Sequence, residues 1–145
     1  MRVTLPLILA TAALLIAACN EPPTPGVPTA FASICDKAND GKRILYEGYL
    51  MLPDSFTGDT SLSMYLFETE EMEGDKIGVA VKFGNEANQQ TLLTESYSDY
   101  DLGIHLAGDG GTAGFGEKLK VSGKVYFPPI SPEYACALEN PLFER

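Results

Sequence analysis

Lys118-Leu119-Lys120-Val121-Ser122-Gly123-Lys124-Val125-Tyr126-Phe127 is the stretch that decides the fold. Its residues alternate. Leu119, Val121, Val125 and Phe127 fall on one side of an extended chain, and Lys118, Lys120, Ser122, Lys124 and Tyr126 fall on the other. This period of two predicts a strand with one face against a core and one toward water. Gly123 marks a place where such a strand bends. Pro128, Pro129 and Pro132 end it, because proline offers no amide to a ladder.

Moving outward, Tyr134–Glu139 reads as the last strand, carrying Cys136, with Pro141 as its stop. On the other side lies a glycine-rich loop, Gly108–Gly116, preceded by a short strand over Leu102–Leu106 and a helical turn over Glu86–Leu93. Lys76–Phe83 alternates cleanly, with Ile77, Val79, Val81 and Phe83 on one face. Leu62–Thr69 alternates too, and the acidic turn Glu70–Asp75 between them predicts a hairpin. Arg43–Leu52 is apolar on both faces, with Gly48 at a bend or bulge. Pro28–Asn39 places Phe31, Ile34, Cys35 and Ala38 on one helical face that Gly41 can end.

The order is short helix, strand, two-stranded hairpin, linker, strand, strand. That order predicts an all-β, five-stranded OB-fold-like barrel, in which closing the sheet removes its long edges. A small β-sandwich is the alternative. Gly41-Lys42-Arg43-Ile44-Leu45-Tyr46-Glu47-Gly48-Tyr49-Leu50 resembles the first strand of the tRNA-anticodon-binding-like OB family. Phe115-Gly116-Glu117-Lys118-Leu119-Lys120-Val121-Ser122-Gly123-Lys124-Val125 resembles its fourth. The resemblance covers residues 41–140. It implies a ligand face on the second and third strands, where Tyr65 and Phe67 lie beside Lys76 and Lys82. The alternative is that one aromatic set fills the barrel and the other lies under loops.

The N-terminus speaks to location. Leu15-Ile16-Ala17-Ala18-Cys19 closes an apolar run that begins at Leu5, after the basic Arg2. The run is too short for the ~20 residues that span a bilayer as a helix, so residues 1–18 read as a secretory signal. Ile16-Ala17-Ala18-Cys19 resembles the lipobox of bacterial lipoproteins, which implies an acylated Cys19 as mature N-terminus. One acyl chain of myristoyl length holds only marginally, and the two or more palmitate-type chains of such lipoproteins anchor stably. Asn20 in place of aspartate implies sorting to the outer membrane, facing periplasm or surface. The alternative is an ordinary signal peptide that leaves a free Cys19. Residues 19–28 form the lipidated terminus and a proline-rich tether, and 29–145 the barrel domain.

Cys35 and Cys136 remain. An even pair in an exported chain reads as a disulfide; two free buried thiols are the alternative. The formal net charge of −10 repels phosphate backbones and argues against broad nucleic-acid binding. His105 is the only histidine, with Asp101 four residues before it. One histidine with no nucleophile motif does not make a catalytic set. Gly108-Asp109-Gly110-Gly111-Thr112-Ala113 matches a dinucleotide fingerprint in letters, but a strand rather than a helix is expected after it. Glu68, Glu70, Glu71, Glu73 and Asp75, and separately Asp99, Asp101 and Asp109, lack the spacing of a calcium loop. The sequence thus predicts no enzyme, cofactor or metal. It predicts an envelope binding module for a protein or small ligand. The alternatives are an acidic inhibitor or partner of a basic envelope protein, and a single-stranded nucleic-acid or oligosaccharide binder.

Overall fold

The computed structural model describes residues 25–57, 61–82, 96–98, 102–106, 111–129 and 133–145. Its strands are β1 (Val27–Pro28), β2 (Arg43–Met51), β3 (Ser55–Thr57), β4 (Ser61–Phe67), β5 (Lys76–Lys82), β6 (Ser96–Ser98), β7 (Ile104–His105), β8 (Thr112–Ala113), β9 (Lys118–Tyr126) and β10 (Ala137–Glu144). One short helix, α1, covers Phe31–Ile34, and a 3-10 turn covers Lys37–Asn39.

Five strands close on themselves in the order β2-β4-β5-β10-β9, with β9 returning to β2. Every contact in this ring is antiparallel except β5 with β10, which run parallel. This is the OB-fold-like barrel, and it excludes the sandwich. Leu50, Met64, Leu66, Val79, Leu119, Val121, Val125, Leu138 and Phe143 fill its interior.

The seam depends on β2, which has two neighbours. Arg43–Tyr49 pair with β9, and Tyr49–Met51 pair with β4. Gly48 sits where the strand passes from one to the other. A methyl group there would lie 2.5 Å from the Phe67 carbonyl oxygen and 2.7 Å from the Tyr46 ring. The close approach of two backbones is what requires glycine at this bend.

Several expectations need correction. The helix does not reach from Pro28 to Asn39. Pro28 belongs to β1, which pairs in parallel with Ile44 and Leu45 of β2. Asp36 is extended (φ −66°, ψ 135°), so α1 stops short of it and Ala38 is exposed. A four-residue helix has no stability of its own. It is held by buried Ile34 and by the Cys35–Cys136 disulfide, whose Cα atoms are 5.4 Å apart.

Pro141 does not end the last strand. Asn140 and Pro141 of β10 together face the single residue Gly123 of β9. This bulge absorbs the missing proline amide, and Asn140 adopts a positive φ of 49°. It also shifts the alternation by one residue, so that Leu138 and Phe143 both point inward. The stretches read as loop around Pro53 and around Thr112 contain β3 and β8, which pair with β6 and β7. The expected strand over Leu102–Leu106 narrows to Ile104–His105. Phe83, the Glu86–Leu93 turn, and Cys19 with the leader lie outside the described residues.

Candidate functional site

The β4–β5 hairpin carries the four residues expected to form a ligand face. Its register sets Phe67 opposite Lys76, Tyr65 opposite Gly78, and Ser61 opposite Lys82. Lys82 is therefore at the far end of β5 from Lys76, about 20 Å away at strand rise. Phe67 is only 3% exposed, so its ring offers no stacking surface. Only Tyr65 and Lys76 come together. The Lys76 ammonium lies 4.0 Å from the centre of the Tyr65 ring.

The segment entering β10 completes this corner. The Tyr65 hydroxyl donates to the Glu133 carboxylate, and Tyr134 packs against Tyr65 with ring centres 6.0 Å apart. The bond to Glu133 is the main cause that pushes the Tyr65 hydroxyl up to about 12. Burial raises Tyr126 as well, with smaller contributions from Tyr134 and Glu139. Gly78 makes the arrangement possible. A methyl group on it would come 2.8 Å from two Tyr134 ring carbons, so only a strand without a side chain lets Tyr134 lie down there.

Beside this cluster opens a cleft of about 490 Å³. Its walls come from three elements: Phe31, Ala32 and Cys35 of the α1 segment, Gly74–Ile77 leading into β5, and Glu133–Ala135 before β10. The disulfide fastens the first wall to the third. The lining combines two aromatic rings with two carboxylates, Asp75 and Glu133, and one amine, Lys76. A shallower groove of about 400 Å³ runs between Pro28–Ala30, Leu45–Glu47 and Lys120.

Sequence reasoning placed Tyr65 and Lys76 correctly on adjoining strands but missed Phe31, Glu133, Tyr134 and Gly78. The available signal was the glycine inside an otherwise regular strand, which marks a close approach.

The remaining candidates stay apart. His105 is exposed on β7; its sequence neighbour Asp101 lies outside the described residues, as do Asp99 and Asp109. Gly111–Ala113 continue into β8 and then β9, so no helix follows the fingerprint-like run. Among the described residues, no group of three or more His, Cys, Asp or Glu is placed to hold a metal ion. No protein-family model matches the chain, and no curated protein or solved structure is found similar to it. Strand order and pairing carry the fold assignment by themselves.

Proposed function

We propose that the chain is a lipid-anchored, exported lipoprotein whose OB-fold-like barrel is a non-enzymatic binding module at the bacterial envelope. The observation that carries this reading is the conjunction of the lipobox-like stretch Ile16-Ala17-Ala18-Cys19 with a bonded Cys35–Cys136 pair. A disulfide of this kind persists in an oxidising compartment, which is where the leader would deliver the domain. The binding role is supported by the cleft, which gathers aromatic and charged side chains from three separate elements. Single-stranded nucleic acid fits less well. Phe67 is buried, the Tyr65 ring is engaged by Lys76 and Tyr134, and the chain is strongly acidic.

Changing Cys19 to Ser tests the anchor. The variant should leave the membrane fraction and become soluble, and mass spectrometry of the wild type should find acyl chains on an N-terminal cysteine. A variant that stays with membranes, or an unmodified N-terminal thiol in the wild type, refutes the anchor.

A further inference from the structure

We propose that the cleft between α1, the start of β5 and the segment before β10 receives a lysine or arginine side chain from a basic polypeptide partner. This deepens the binding-module reading and rests on it. The argument begins with the walls. Phe31 and Tyr134 offer apolar and aromatic surface, which suits the methylene stem of a long cationic side chain as well as its charged head. The lining carries two carboxylates against one amine. That amine, on Lys76, is drawn onto the Tyr65 ring, while the Glu133 carboxylate accepts the hydroxyl of the same tyrosine.

The rim has the same sign. Gly74 and Asp75 of the lining end the turn that also holds Glu70, Glu71 and Glu73, and all four acids are exposed. Among the described residues none of Glu70, Glu71, Glu73 and Asp75 forms an ion pair. Several of the barrel's basic side chains are engaged elsewhere. Lys118 pairs with Glu47, Lys124 with Glu139 and Arg145 with Glu117, and Lys37 lies 3.4 Å over the Phe127 ring. A partner segment with several positive charges would lie across the turn and place one side chain in the cleft. The complementary charge would mainly speed encounter and set register, while the cleft would choose the residue.

The test uses the mature protein in detergent micelles and a fluorescently labelled oligolysine peptide, followed by anisotropy at low and high salt. Binding at low salt that weakens as salt rises is expected. Asp75→Asn removes one exposed charge and should weaken binding about three- to fivefold. Ala32→Arg fills the cleft from an exposed helix position and should weaken it further. Glu144→Gln, on the far end of β10, should leave it unchanged. Absence of oligolysine binding, or equal weakening by Glu144→Gln and Asp75→Asn, overturns the proposal. So does a neutral oligosaccharide or an oligothymidylate that binds in place of the peptide and is blocked by Ala32→Arg. Any of these results removes the cationic occupant and leaves the anchored module standing, since Cys19→Ser release tests that separately.

Discussion

Tyr65 shows how one side chain can report on the cleft. Its hydroxyl donates to Glu133, a bond that ionisation would break, and burial and the nearby negative charge add to this, so its pKa rises from about 10 to about 12. The folded protein then keeps a proton that the unfolded chain has lost over that interval. Whatever stability the pair contributes is complete below about pH 10 and falls as pH climbs toward 12. A spectrophotometric titration of the tyrosines should find one that ionises last, near pH 12. Glu133→Ala should bring it back toward the others, because it removes both the bond and the charge. A titration unchanged by Glu133→Ala would mean that the two side chains do not meet in solution.

Among the elements, β10 and β1 carry the sharpest expectations. Arg43 clamps the β10 bulge. One guanidinium nitrogen donates to the Asn140 carbonyl at 3.0 Å and another to the Ser122 hydroxyl at 3.0 Å. Ser122 is nearly fully buried beneath it. Replacing Arg43 with Leu should cost about 2–3 kcal/mol, read as a lower denaturation midpoint with an unchanged slope. In β1, a methyl group on Gly26 would overlap the Ile44 carbonyl oxygen at 2.0 Å. Gly26→Ala should therefore lift β1 off β2. The Thr29 amide, now bonded to the Leu45 carbonyl at 3.0 Å, should then exchange its hydrogen faster while the barrel amides hold.

The regular part of these elements was legible in the sequence because a half-buried strand writes its two faces into alternate residues. β4, β5 and β9 carry that signature, whereas β2 is apolar on both faces. β10 was misread at Pro141, since a proline stops a strand unless a bulge frees its position from the ladder, and the bulge depends on Arg43, 97 residues away. The cleft was mostly illegible for a similar reason. Glu133 and Tyr134 reach Tyr65 only because β10 pairs in parallel with β5, which is a property of the closed barrel and not of any local window. Phe67 looked like an outward aromatic by alternation, yet it is buried. A period of two tells sides apart but cannot say which outer positions other segments will cover.

For the whole molecule, the Cys35–Cys136 bond dominates. It closes a loop across a sequence separation of 101, and in the chain-entropy model such a cross-link is worth up to ~4–5 kcal/mol. Reduction, or Cys136→Ser combined with Cys35→Ser, should lower the unfolding free energy by several kcal/mol. The measurement is denaturant melting with and without reductant. A shift of less than about 1 kcal/mol would mean that the denatured chain is already held compact by other contacts.

The same cross-link decides how the molecule answers a pull. A force applied at the N-terminal end can peel β1 from β2 and unwind α1, but at Cys35 it passes straight to Cys136 through a covalent bond. Tension between the two ends of the chain thus bypasses β2 through β9 and loads only the residues before Cys35 and the short stretch from Ala137 to Arg145. A pull from both ends would leave β2 through β9 closed while the bond is oxidised, and they would yield strand by strand only after its sulfurs were separated.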